Sequence, residues 1–127
     1  MMKFCLMLLT LIVLQVNSKW INSQWNRKIA KGCVNTLKLK ENGKAFSYDC
    51  ELNYTLNCTY KIIKDTLFIT EKDDSHSEDG GKAYYFRQQY IIKEKGLYCI
   101  SSGELVKGKW QDKKVKLDKK VDWTRVK

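Results

Sequence analysis

From Val34 to Ile69 the chain alternates apolar and polar residues in short runs broken by turn signals, VNTLKLKENGKAFSYDCELNYTLNCTYKIIKDTLFI. Leu37 and Leu39 share one face while Thr36, Lys38 and Lys40 share the other, the period of two that marks a half-buried strand. Asn42-Gly43 interrupts the run, and this dipeptide is a strong hairpin signal because both residues tolerate positive φ. A two-residue turn there sets Leu39 opposite Phe46 and Leu37 opposite Tyr48, so both strands present an apolar face that Cys50 and Leu52 extend. The chain returns through Cys58, Tyr60 and Ile62. Lys64-Asp65 then reverses it, pairing Ile62 with Leu67 and Tyr60 with Ile69. The predicted interior is therefore Leu37, Leu39, Phe46, Tyr48, Tyr60, Ile62, Leu67 and Ile69.

Lys82 to Ile92 reads as the longest later strand. The turn Lys93-Glu94-Lys95-Gly96 follows, then Leu97 to Ser101, with Ile92 opposite Leu97 and Tyr90 opposite Cys99. Both faces of this hairpin carry apolar residues. Its inward set is either Tyr84, Phe86, Tyr90 and Ile92 or one that includes Tyr85 and Ile91. Glu104 to Trp110, Lys114 to Leu117 and Lys120 to Val126 supply the last two or three strands. About eight short strands at this spacing predict an all-β chain, an up-and-down antiparallel meander closing into a small barrel. Lys19 to Gly32 is a polar lead-in outside the strands, and its Trp20 and Trp25 are expected to cover one barrel end.

Two features of the chain's start and its cysteines change the picture. Met1 to Ser18 has the form of a secretory signal peptide: Lys3 ahead of an apolar run from Phe4 to Val16, with small residues at Val16 and Ser18 for cleavage. That run falls short of the roughly 20 residues needed to span a bilayer. The expected organisation is a leader over 1–18 and one barrel domain over 19–127, secreted or periplasmic and monomeric. Removing the leader removes Cys5 and leaves Cys33, Cys50, Cys58 and Cys99, an even set that predicts two disulfides in an exported domain. Four cysteines allow three pairings. Cys33 is a diagonal neighbour of Cys50, Cys50 also lies across a hairpin from Cys58, and Cys99 starts nearer the opposite end.

The formal net charge is +10 over 127 residues, and lysines crowd the segment from Lys107 to Lys127. They either keep strand edges soluble or form a patch for an anionic surface or an acidic protein. Export makes nucleic acid a poor partner. Recognisable catalytic patterns are missing: no glycine-rich phosphate loop, no H-E-x-x-H, no G-x-S-x-G and a single histidine, His76. No enzyme, metal or cofactor is expected. The acidic loop from Thr70 to Gly81 only faintly matches a calcium loop. Asn53-Tyr54-Thr55 and Asn57-Cys58-Thr59 match the N-glycosylation pattern, which carries meaning only in a eukaryotic source.

The lead-in SKWINSQW, the segments GCVNTLKLKENGKAFSYDC and TYKIIKDTLFIT, and the ending with Trp123 and Arg125 resemble short bacterial exported lipocalin-like proteins of the Bacteroidetes type. The resemblance covers most of residues 19–127. It implies a small lipocalin-like barrel whose interior holds a small hydrophobic ligand. It also implies that Trp25 and Arg125 close one end by a cation–π contact. Tyr48 and Tyr60 are then the residues expected to orient a ligand, since a buried hydroxyl needs a partner. A barrel with a solid core, acting through its basic face on an acidic protein or envelope polymer, is the alternative.

Overall fold

The computed structural model describes residues 19–74, 82–116 and 121–126, so the expected leader lies outside the described residues. The strands are β1 (Gln24–Ala30), β2 (Cys33–Leu39), β3 (Lys44–Asp49), β4 (Tyr54–Ile63), β5 (Thr66–Asp73), β6 (Tyr84–Lys93), β7 (Gly96–Val106), β8 (Lys109–Lys114) and β9 (Trp123–Val126). Their order is β6-β5-β4-β3-β2-β1-β9-β7-β8, and β6 also pairs with β7. The sheet thus closes on itself as an antiparallel eight-stranded barrel of the small lipocalin-like kind, with β8 an extra strand on the far half of β7. The alternation in the sequence predicted this architecture.

Tight turns set the register. Lys64 (φ 57) and Glu94 (φ 56) open two-residue turns, and positive φ there matches the twist of the flanking strands. The pairings Ile62–Leu67 and Tyr60–Ile69 are those predicted. So are Ile92–Leu97 and Tyr90–Cys99. Beyond Tyr90 the register slips at a bulge, which leaves Ile100 unpaired between Cys99 and Ser101. Tyr90 and Ile92 are buried and Phe86 falls on the same face, as in the first alternative, while its fourth member, Tyr84, is 55% exposed.

The β2–β3 hairpin departs from expectation. Lys40 donates its backbone N–H to Lys44 O at 2.7 Å, so the loop is the three residues Glu41, Asn42 and Gly43. Asn42 (φ 60) and Gly43 (φ 70) both use the left-handed region, as an Asn-Gly pair does in either loop length. One extra loop residue shifts the pairing by one, so Leu39 faces Ala45 and Leu37 faces Ser47. Phe46 and Tyr48 therefore point outward, and Phe46 is 38% exposed. Leu52 sits in the β3–β4 connection, 65% exposed, and does not extend the core face.

Two further boundaries differ. The lead-in is a strand from Gln24 onward, because Trp25 registers with Leu37 on one side and Arg125 on the other. The stretch predicted as separate strands over Leu97–Ser101 and Glu104–Trp110 is one long β7, and the turn falls at Lys107 (φ 50) and Gly108 (φ 77).

The core gathers Trp20, Trp25, Leu37, Leu39, Ile62, Leu67, Ile69, Tyr90, Ile92, Leu97 and Trp123, with Ala45 and Cys58 filling the narrow places. Small Ser47 faces inward level with Trp25 and Leu37, and small Ala45 level with Leu39, where these larger side chains already fill the barrel. At this end Trp25 Nε1 donates to Ser23 Oγ at 3.0 Å, and Ser23 Oγ donates to Trp20 O at 2.6 Å. The Arg125 guanidinium lies 5.0 Å from the Trp20 ring and 5.9 Å from the Trp25 ring. Trp25 and Arg125 thus meet at the end where they were placed, with Trp20 the nearer ring.

Cys33 and Cys50 form a disulfide with Cα atoms 5.5 Å apart, tying the start of β2 to the end of β3. The second predicted disulfide is not formed: Cys58 and Cys99 are free. They sit on β4 and β7 with β5 and β6 between them, so barrel closure keeps them on different strands of the wall rather than across one hairpin.

Candidate functional site

The barrel divides by chemistry. One half is the apolar core beneath Trp20 and Trp25; the other turns polar side chains inward. Inward alternation continues past Trp25 to Arg27, past Leu37 to Asn35, and past Ile69 to Glu71, so residues in line with the core are charged or polar. Asn35 is buried and its Oδ1 accepts the Cys50 N–H at 2.9 Å. Glu71 is a carboxylate on the inner face of β5, two positions past Ile69 and across from Cys58.

Arg27 is the centre of this half. Its guanidinium stacks on Trp123 at 4.3 Å from the ring centroid, a cation–π contact with a side chain only 3% exposed. Arg27 Nε is buried without a hydrogen-bond partner among the described residues, whereas the Trp123 indole N–H is directed at the Tyr90 hydroxyl. A buried donor is costly to strand, typically about 1–3 kcal/mol, and native proteins leave few. Arg27 forms no ion pair among the described residues, although its field reaches Glu71. Burial pushes the Glu71 carboxyl above its ordinary range; Arg27 opposes the shift, and Asp73 and Asp49 add to it.

The neighbouring groups are protonated and quiet. Burial, reinforced by Glu71, pushes the Cys58 thiol up to about 12. Burial and then Asp122 raise Cys99. Neither thiol has the lowered pKa of a nucleophile. Tyr90 is raised mainly by burial, and its hydroxyl donates to Gln88 Oε1 at 2.8 Å. Among the described residues no group of His, Cys, Asp and Glu is arranged to hold a metal ion. His76 and most of the acidic loop, residues 75–81, lie outside the described residues.

Access comes through the wall. β9 pairs with β1 only from Gln24 to Asn26, and with β7 only at Gly96 and Leu97. Beyond those rungs no strand of the described residues lies between Arg27 on β1 and Cys99 on β7. A pocket of about 460 Å³ opens there. Arg27, Lys28 and Lys116 supply positive charge to it, and Tyr98, Val115 and Val121 supply apolar surface. Asp122 borders it but is engaged, its Oδ2 accepting the Cys99 N–H at 2.6 Å.

The predicted interior residues are accounted for differently. Leu37, Leu39, Ile62, Leu67 and Ile69 are core. Tyr60 faces inward, but its hydroxyl donates to Lys40 O at 2.6 Å, bracing the β2–β3 loop. Tyr48 is on the outer face and donates to Asn53 Oδ1 at 2.9 Å. Arg27 and Glu71 were missed because hydrophobic periodicity gives no signal for a charged residue at an inward position. The signal available was parity: Trp25 to Arg27, and Ile69 to Glu71. Comparison with protein-family models, curated proteins and solved structures gives no match.

Proposed function

We propose that this chain is an extracytoplasmic binding protein for a small apolar molecule that carries an anionic group. The observation that carries the reading is the buried, unpartnered Arg27 Nε beside a pocket that is part cationic and part apolar. An acidic head satisfies the guanidinium without displacing its stacking on Trp123. The apolar body then rests on Tyr98, Val115 and Val121. The pocket volume falls in the range of small-molecule sites, roughly 300–1,000 Å³. The Cys33–Cys50 disulfide, together with the expected leader, supports an oxidising compartment. No helix among the described residues is long and apolar enough to cross a membrane.

The test is titration calorimetry of the chain with dodecanoate and with dodecanol, which share a tail and differ in charge. Dodecanoate is expected to bind at least about tenfold more tightly, the scale of one charge-assisted hydrogen bond. Arg27→Leu is expected to erase that preference. Equal binding of the two probes, or a preference that survives in a folded Arg27→Leu variant, refutes the reading. Native mass spectrometry of the secreted protein then identifies any natural occupant by the mass lost on denaturation.

A further inference from the structure

The outer wall of β1 to β5 carries a second, independent surface. Its outward positions follow from the register. One row runs Gln24, Lys38, Phe46, Asn57 and Lys72; the next runs Asn26, Thr36, Tyr48 and Thr55. Lys28, Lys44, Lys61 and Phe68 continue the face. Among the described residues no Asp or Glu projects outward from these five strands, since Asp49, Glu71 and Asp73 are all at inward positions. None of these lysines is in an ion pair among the described residues; Lys61 instead lies 5.3 Å over the Phe68 ring. The opposite flank is built differently. There Arg87 is neutralised by Asp112 and covered by Trp110.

A groove of about 480 Å³ runs along this face, and Phe46 and Tyr48 line it between Lys38, Lys40, Gln24, Thr36 and Thr55. Solubility alone calls for charges of both signs and few exposed aromatic rings. A one-signed face with aromatic rings in a groove is a binding design. Its neutral groups are amides and hydroxyls, which pair with hydroxyl-rich ligands. The rings offer flat apolar surface to the C–H face of a sugar through dispersion contacts. The lysines are point charges rather than planar forks, suited to spaced anions along a chain.

We infer that the β1–β5 face binds a linear acidic polysaccharide, its sugar rings over Phe46 and Tyr48 and its carboxylates beside Lys38, Lys40 and Lys72. The site is separate from the Arg27 pocket and stands without it.

The experiment is titration of the chain with polygalacturonate oligomers and with the same oligomers methyl-esterified, which keeps the sugar backbone and removes the charge. Expected is binding of the acid and not of the ester, weakening by about tenfold or more as salt rises from about 50 to about 200 mM. Phe46→Ala and Tyr48→Ala are expected to weaken it by about tenfold each, by the scale known for ring stacking. Both side chains are outward, so circular dichroism of the variants is expected to match the parent. Lys38→Glu is expected to lower affinity further, while Lys113→Glu on β8 leaves it unchanged. Equal binding of the ester overturns the proposal, as does no binding of the acid. Inorganic polyphosphate binding as tightly as the oligomer, with Phe46→Ala silent, reduces the face to non-specific charge. Tighter binding of oligothymidylate through the same residues reassigns the face to nucleic acid and likewise overturns the proposal.

Discussion

Removing the Cys33–Cys50 bond by Cys33→Ala/Cys50→Ala tests how much of the barrel's stability comes from restricting the unfolded chain. The two cysteines are 17 positions apart, and their strands already pair in the folded state. The bond therefore adds little to the native contacts and acts mainly by closing a loop in the denatured ensemble. A loop of this length corresponds to about 3 kcal/mol at 25 °C. That is a large part of the 5–15 kcal/mol that about 100 residues ordinarily muster. Thermal unfolding is expected about 10–20 °C lower in the variant. In urea the midpoint falls, and the dependence on denaturant steepens because the uncrosslinked chain exposes more surface when unfolded. Cys58→Ala/Cys99→Ala serves as the control, since those thiols are not cross-linked and leave the denaturant dependence unchanged. A loss below about 1 kcal/mol in the Cys33/Cys50 variant, with an unchanged slope, refutes the loop-closure account.

Three other outcomes are expected. Gly103 lies between Arg87 and Asp112 across three strands, and an added Cβ would strike the Asp112 side chain and come within 2.9 Å of Gln111 O. Gly103→Ala is expected to cost about 1–3 kcal/mol in urea unfolding. The share due to the Asp112 carboxylate should disappear in an Asp112→Ala background while the approach to Gln111 O keeps the remainder; a cost that is the same in both backgrounds contradicts the geometry. Glu71 is raised above its ordinary range mainly by burial, so the folded state holds its proton more tightly than the unfolded chain does. The stability from this group is complete below the ordinary carboxylate range and is lost as pH rises through the raised value. Glu71→Gln should flatten that decline, and an unaltered pH profile would argue against a buried carboxyl. Finally, Leu67→Ala should cost about 2–5 kcal/mol, whereas Phe46→Ala on the outer face should stay within about 0.5 kcal/mol. Comparable losses in both would restore the two-residue turn and its opposite register.

Much of the barrel is legible in the sequence because short turns and alternation agree. Lys64-Asp65 and Glu94-Lys95 each join strands whose apolar residues coincide only in one register, and those pairings stand in the structure. Asn42-Gly43 is a weaker guide because the same dipeptide serves loops of two and of three residues. A two-residue turn there turned Phe46 and Tyr48 inward, but the three-residue loop sets Ala45 opposite Leu39 and Ser47 opposite Leu37. β1 was hidden for another reason: within QWNRKIA the inward residues are Trp25 and Arg27, and a guanidinium reads as solvent-facing until a tryptophan is found beneath it. β9 contributes that tryptophan from the other end of the chain, a contact no local pattern encodes.

The same short strand sets the order in which the molecule assembles. From β1 to β7 each strand pairs with the one just before it, so those contacts are local and form fast once a turn is made. The seam is the exception, with Arg125 reaching back to Lys19, 106 positions away. Its loop-closure entropy is the largest in the fold, and only the few rungs of β9 offset it. The topology therefore predicts that closure of the barrel comes late, after a curled sheet that exposes the edges of β1 and β7. During synthesis the chain must wait for β9 before those edges are sealed. Loss of β9 would leave the sheet largely paired but the cylinder open, a species prone to join with its own copies.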